Sequence, residues 1–179
     1  MTEPLLEHAA AARGGMRAYA LALVGLDIVA GWTIVGLVSV MVAVVSAQVL
    51  LRYALNSSIG WADELSRFTF VWSMFLAIPL GIRRGVHIGM EILTSRFPER
   101  VQQLLARLMA AIAAGLMALV TFESARVAWD QWDEGMASME ASAAWFIVAV
   151  AVGCGHSALH LVWIALTGKP RSVGPVATE

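Results

Sequence analysis

Two histidines in the last apolar stretch of the chain are the first candidates for chemistry. His156 and His160 are four residues apart, the spacing at which two side chains on one helical face can bind the same metal ion. A zinc site needs a third ligand, and the neighbouring apolar stretches offer no cysteine, histidine or carboxylate at a matching depth. One helical face also cannot supply haem with axial ligands from opposite sides. We therefore expect hydrogen bonds between helices here, with no metal and no cofactor.

The remaining charged candidates lie at the ends of apolar stretches. Asp27 precedes the first stretch, and a solvated helix end is favoured there over a buried proton or ion site. Glu123 and Arg126 are three residues apart at the end of the third stretch and are expected to pair with each other. The single cysteine, Cys154, excludes an internal disulfide. The chain shows no catalytic or substrate-binding set, which indicates a partner or scaffold protein and not an enzyme.

The composition indicates the class of protein to which these residues belong. The 179 residues are 59% hydrophobic and only 14% charged, whereas a soluble domain is roughly 45–50% apolar and about 25% charged. This excludes an ordinary soluble enzyme, a disordered tail and a basic nucleic-acid-binding protein. The sequence therefore predicts a membrane protein.

The apolar stretches predict four membrane-spanning helices. Crossing the hydrocarbon core takes about 20 predominantly apolar residues, and the spans are placed at about 28–51, 62–82, 101–122 and 143–166. The first is interpreted as a retained span and not as a cleaved signal peptide, because it is too long and starts too far from Met1. The prediction is an all-α integral membrane protein with one domain over residues 1–179. Residues 1–15 and 170–179 are expected to be flexible cytoplasmic ends.

The basic residues predict the orientation of the spans. Four crossings collect nine of the 12 Lys and Arg residues on the side of the two termini. The positive-inside rule makes that side cytoplasmic, so both termini are expected inside. A short interfacial helix is expected between the first and second spans, beginning near Trp61. The nine residues are Arg13, Arg17, Arg83, Arg84, Arg96, Arg100, Arg107, Lys169 and Arg171.

Two segments carry a more specific pattern. Residues 51–68 read LRYALNSSIGWADELSRF, and residues 83–88 read RRGVHI. This pattern resembles the small permease subunit of tripartite ATP-independent periplasmic (TRAP) transporters. That family has an Arg-aromatic pair ending its first span, a Trp-acidic-Glu-Leu-Ala-Arg run, and an Arg-x-x-x-His-Ile motif after its second span.

The sequence departs from the family pattern at a few positions. Ser66 takes the usual alanine place, Pro79 interrupts what is usually a run of small residues, and Glu91 stands where Asp is commoner. The resemblance is specific over about residues 48–100. Outside that region it rests on the length and the four-span layout.

The resemblance implies partners and a function. Such a subunit pairs with a large permease subunit that carries the substrate and sodium sites, and a periplasmic binding protein delivers the solute, an organic acid. A sodium gradient drives this symport across the bacterial inner membrane. The small subunit would be a scaffold among membrane lipids, without nucleic acid and without a substrate site of its own.

The resemblance also implies structural roles for eight residues. One group would stabilise the outer helix, and another would lie at the inner surface against lipid or the large subunit. The outer group is Arg52, Trp61, Asp63, Glu64 and Arg67, and the inner group is Arg83, Arg84 and His87.

A second interpretation comes from a different class of protein. Membrane anchor subunits of haem- or quinone-associated redox enzymes are also small helical proteins with histidines in their spans. His156 and His160 keep this alternative open at the level of the sequence.

Overall fold

The part of the chain that the structure describes is a bundle of four long helices. The computed structural model describes residues 15–57, 59–83 and 98–168. The helices are α1 (Gly15–Ala54), α2 (Ala62–Arg83), α3 (Glu99–Asp130) and α4 (Ala144–Thr167). All four are long and apolar enough to cross a membrane, and no β-strand occurs in these described ranges. The predicted all-α membrane class with four spans is thus confirmed.

Helix α1 is much longer than the span predicted for it. It contains 40 residues, or about 60 Å at 1.5 Å per residue, and it begins 13 residues before position 28. The additional turns are rich in Ala and Leu, which are strong helix formers. Ala20, Leu23, Val24 and Asp27 recur on one face of these turns and are all buried. Asp27 therefore lies well inside a continuous helix and not at its end.

The connection between α1 and α2 is short. The residues described between 55 and 61 form bends and turns, and Asn56 adopts a left-handed conformation with φ 46°, which asparagine tolerates better than most residues. Residues 62–67 form the first turns of α2 itself. Asp63 and Glu64 lie in its first turn, where a negative charge complements the helix dipole. Whether this start of α2 lies along the membrane surface stays a prediction.

The helices pack side by side in the order α1, α2, α4, α3. Helix α4 lies between α2 and α3, while α1 packs on α2 and reaches α4 over a short segment. Large apolar side chains on α1 and α3 remain exposed along the outer sides of the bundle, including Trp32 at 74%, Ile112 at 61% and Phe122 at 65%. These faces can contact lipid or another membrane protein.

A glycine allows the closest approach between α2 and α4. A Cβ atom at Gly153 would lie 2.5 Å from the backbone oxygen of Phe75, which is closer than a side chain can come without displacing a helix. Ala149 and Ser157, one turn to either side, are 1% and 0% exposed. Small residues at this spacing let helix backbones pack closely in lipid.

Candidate functional site

Asp27 is the centre of a buried polar cluster that joins three helices. It is only 3% exposed. Its Oδ2 atom accepts a hydrogen bond from Arg83 Nη1 at 3.0 Å. Its Oδ1 atom lies 3.1 Å from His156 Nε2 and 2.8 Å from His160 Nε2. These four residues, from α1, α2 and α4, are called the Asp27 cluster below.

The hydrogen bonds indicate which ring nitrogen of each histidine carries a hydrogen. An ionised carboxylate only accepts hydrogen bonds, so both imidazoles must carry a hydrogen on Nε2 to bond with it. In a neutral imidazole this is the tautomer with the hydrogen on Nε2 and none on Nδ1. With neutral imidazoles, the negative charge of Asp27 balances the positive charge of Arg83. A neutral cluster is the arrangement that costs least in apolar surroundings.

Local helical geometry positions each member. The buried face of α1 carries Asp27 towards the bundle, and the four-residue spacing stacks the rings of His156 and His160 with centroids 5.0 Å apart. Arg83 is the last residue of α2, and its side chain is 11% exposed. Its Nε atom is buried and has no hydrogen-bond partner.

A second contact holds α1 against α4 beside the cluster. The hydroxyl of Tyr19 donates a hydrogen bond to the backbone oxygen of Leu159 at 2.7 Å. The Tyr19 ring also packs against Trp163, with centroids 5.9 Å apart. The two contacts place the first turns of α1 on the last turns of α4.

Two expectations about this region are wrong. Asp27 was expected at a solvated helix end, but it is buried because α1 continues well beyond the apolar stretch on its N-terminal side. No carboxylate was expected at the depth of the histidines, and Asp27 is such a carboxylate. The expectation of hydrogen bonds between helices for His156 and His160 is confirmed.

The cluster can offer ligands to a metal ion as well as hydrogen bonds. The ligand atoms of Asp27, His156 and His160 all lie within 4.8 Å of one another. Two imidazoles and one carboxylate form a ligand set that divalent transition metals use. The sequence could not reveal this set, because nothing in it reports that α1 and α4 meet at these residues.

The residues assigned to the outer end form a different set of contacts. The Glu64 carboxylate accepts hydrogen bonds from the backbone amides of Ala137 at 3.0 Å and Ser138 at 2.7 Å, and from the Ser138 hydroxyl. Asp63 Oδ1 accepts one from Gln48 Nε2 at 3.1 Å. Glu64 thus ties α2 to the connection between α3 and α4, and Asp63 ties α2 to α1.

The remaining residues of the outer and inner groups are exposed, lie outside the described residues or belong to the Asp27 cluster. Arg52, Trp61 and Arg67 are exposed. Arg84 and His87 lie outside the described residues. Arg83 belongs to the Asp27 cluster, and its contact with lipid or a large subunit stays a prediction.

The ion pair expected between Glu123 and Arg126 is absent from the ion pairs of the described residues, all of which involve Asp27. Exposed pairs gain little free energy from forming, so a suitable spacing alone does not ensure that a pair forms.

Comparison with known proteins identifies the family that the sequence matches. Residues 41–168 match the family described as "Tripartite ATP-independent periplasmic transporters, DctQ component". The matched range includes Arg83, His156 and His160, and Asp27 precedes it. Members of this family are transporter components and not enzymes, which gives no support to the redox-anchor alternative.

Individual relatives agree with this match. The C4-dicarboxylate TRAP transporter small permease protein DctQ of Vibrio cholerae is 31% identical over 86 residues, which are 48% of this chain and 35% of that protein. A putative TRAP transporter small permease protein of Haemophilus influenzae is 31% identical over 71 residues, 40% of this chain and 44% of that protein. The chain thus spans less than half the length of either relative.

A longer relative contains a similar segment. The sialic acid TRAP transporter permease protein SiaT of Haemophilus influenzae is 32% identical over 57 residues. These residues are 32% of this chain but only 9% of that protein.

Proposed function

The chain belongs to the family of DctQ components of tripartite ATP-independent periplasmic transporters, and from this premise we propose that it is the small scaffold subunit of such a transporter. The family consists of multi-pass proteins of the bacterial inner membrane, in agreement with the four apolar helices. The proposed transporter takes up a solute from a periplasmic binding protein in symport with sodium. The small subunit supports the large permease subunit and does not itself bind the solute.

The names of the relatives support the proposed partner and the substrate class. In the sialic acid permease, the similar segment occupies a small part of a much longer protein, which supports the action of this chain beside a large permease subunit. The Vibrio relative is named for C4-dicarboxylates. Sialic acid and C4-dicarboxylates are both organic acids, so an organic acid is the proposed solute.

The Asp27 cluster is the observation that carries the scaffold role. It connects α1, α2 and α4 through one carboxylate, and separating these helices would leave a buried charge without its partner. Removing one member of a buried ion pair typically costs about 3–5 kcal/mol. Helices held in this way are expected to move as one body, as a fixed scaffold requires.

The outer end of the bundle supports the same role. Three hydrogen bonds to Glu64 hold the connection between α3 and α4 on the start of α2. Hydrogen bonds to other parts of the bundle are thereby present at both ends of α2. The exposed apolar faces of α1 and α3 offer surface to the large subunit.

Purification from the native membrane tests the proposal. We expect the tagged chain to copurify with a large multi-span permease in a stable, colourless complex, identified by mass spectrometry. Purification without such a partner, or with a haem-containing enzyme, would contradict it.

Uptake by proteoliposomes tests whether transport requires the large subunit. Liposomes that contain both subunits, supplied with the periplasmic binding protein of the same transporter, should take up the organic acid which that protein binds, only with an inward sodium gradient. Liposomes with this chain alone should take up none. Sodium-driven uptake by the chain alone would overturn the scaffold role.

A further inference from the structure

We propose that Asp27, His156 and His160 bind a divalent transition metal ion, with zinc as the best fit, and that Arg83 competes with this ion for Asp27. The site would stabilise the contact between α1 and α4. It is independent of the transport function proposed above, because none of its ligands needs to contact the solute or the large subunit.

The two distances from the Asp27 carboxylate to the imidazole nitrogens are close to those that zinc requires. Zinc binds imidazole nitrogen at about 2.0–2.1 Å and carboxylate oxygen at about 2.0–2.2 Å, so tetrahedral ligands lie roughly 3.3 Å apart. Asp27 Oδ1 is 3.1 Å from His156 Nε2 and 2.8 Å from His160 Nε2. Small side-chain rotations would open these two distances by a few tenths of an ångström. The two imidazole nitrogens, which lie within 4.8 Å of each other, would take up a similar separation around the ion.

The ligands are held on rigid elements and away from solvent. The side chains of Asp27, His156 and His160 are 1%, 7% and 2% exposed. Two of them are one turn apart on α4, and the third faces them from α1. Sites built on helices keep their geometry better than sites built on loops. Three protein ligands leave a fourth tetrahedral position for a water molecule.

The charges explain why Arg83 and the metal must exclude each other. A divalent ion bound beside Asp27 and Arg83 would leave two net positive charges in apolar surroundings, at a high cost in desolvation. If Arg83 turns away, one net charge remains. Arg83 is at the end of α2, where a long cationic side chain can reach the headgroup region. Its present position also leaves its Nε atom without a hydrogen-bond partner.

Binding also requires a change of tautomer. In the hydrogen-bonded state, both histidines carry the hydrogen on Nε2, the atom that must bind the metal. Each neutral imidazole would move this hydrogen to Nδ1. Neutral imidazoles that change tautomer in this way release no net proton.

Metal titration of the purified chain tests the proposal. The full-length chain, purified in detergent without a polyhistidine tag and treated with EDTA, is titrated with Co²⁺ and then with Zn²⁺. We expect one Co²⁺ per chain with the absorption of a tetrahedral site, and its displacement by Zn²⁺. Mg²⁺ and Ca²⁺ should not displace it, because they prefer oxygen ligands.

The variant Arg83→Gln tests the competition. Without the arginine, the metal no longer has to displace an ion pair, and we expect Zn²⁺ to bind at least about tenfold more tightly than in the parent. Equal affinity in the parent and in Arg83→Gln would overturn the competition between Arg83 and the metal.

Matched histidine variants locate the site. The double variant His156→Gln/His160→Gln should lose the tetrahedral Co²⁺ signal, whereas His8→Gln/His87→Gln, which removes the other two histidines of the chain, should keep it. Circular dichroism and size-exclusion chromatography establish that each variant is folded. Absence of stoichiometric binding in both the parent and Arg83→Gln would overturn the metal site, even if the double variant did not fold.

Discussion

Asp27 Oδ1 lies 2.8 Å from His160 Nε2, although the two residues are 133 positions apart in the chain. The contact joins α1 to α4, and both α2 and α3 lie between these two helices in the sequence. It also places an ionisable pair inside a bundle whose surface is largely apolar. Polar and ionisable residues inside membrane spans are costly and usually functional, so this contact is the first target for mutation.

Removing Asp27 should destabilise the bundle strongly. The Asp27→Ala variant leaves Arg83 buried without its counter-charge, and we expect a loss of about 3–5 kcal/mol in the free energy of unfolding. Denaturant unfolding in detergent micelles, followed by circular dichroism, measures this loss.

Two controls separate the charge effect from general damage. Glu123→Ala removes an exposed carboxylate and should change stability by less than about 0.5 kcal/mol. The double variant Asp27→Leu/Arg83→Met, which removes both charges, should be more stable than Asp27→Leu alone. A double variant no better than the single one would show that the ion pair is not the reason for the loss.

Gly153 should tolerate no side chain. A Cβ atom there would meet the backbone of Phe75 at 2.5 Å, so Gly153→Ala forces α2 and α4 apart and should cost about 1–3 kcal/mol. The thermal unfolding midpoint in detergent reports the change. Gly36→Ala is the matched control, since nothing lies within 4 Å of a Cβ at that position in α1. Equal midpoints for the two variants would argue against the close approach.

Glu64 should control the order of the connection between α3 and α4. Glu64→Ala removes the acceptor for the amides of Ala137 and Ser138, and both amides should exchange with deuterium faster than in the parent. Hydrogen exchange with mass spectrometry measures this difference. Glu140→Ala, which removes an exposed carboxylate from the same connection, should leave the exchange unchanged. Faster exchange in both variants would mean that Glu64 has no special role.

The orientation of the bundle can be tested with single cysteines. In a Cys154→Ser background, Ser138→Cys should react with a membrane-impermeant thiol reagent added to the periplasmic side. Arg17→Cys should react only after the inner membrane is opened, because the basic side of a membrane protein stays in the cytoplasm. The reverse pattern of labelling would invert the proposed topology.

The four helices could be predicted because each contains a long apolar stretch, and hydropathy depends on local sequence alone. The burial of Asp27 could not be predicted, because it depends on turns of α1 that precede the most apolar part of the helix. The partners of Asp27 come from α2 and α4, and their depth relative to α1 is decided by packing. Glu64 was assigned to the outer end, but its partners are mainly backbone amides. Almost every residue has a backbone amide, so the residue types in the sequence do not identify these partners.

The lengths of the helices have a consequence for the surrounding lipid. Helices α2 and α4, with 22 and 24 residues, are about 33 and 36 Å long and match a hydrocarbon core about 30 Å thick. Helix α1, with 40 residues, is about twice as long as the core and must tilt or protrude. Membrane thickness therefore constrains the central pair of helices, while α1 extends into the headgroup layer or the water beyond it.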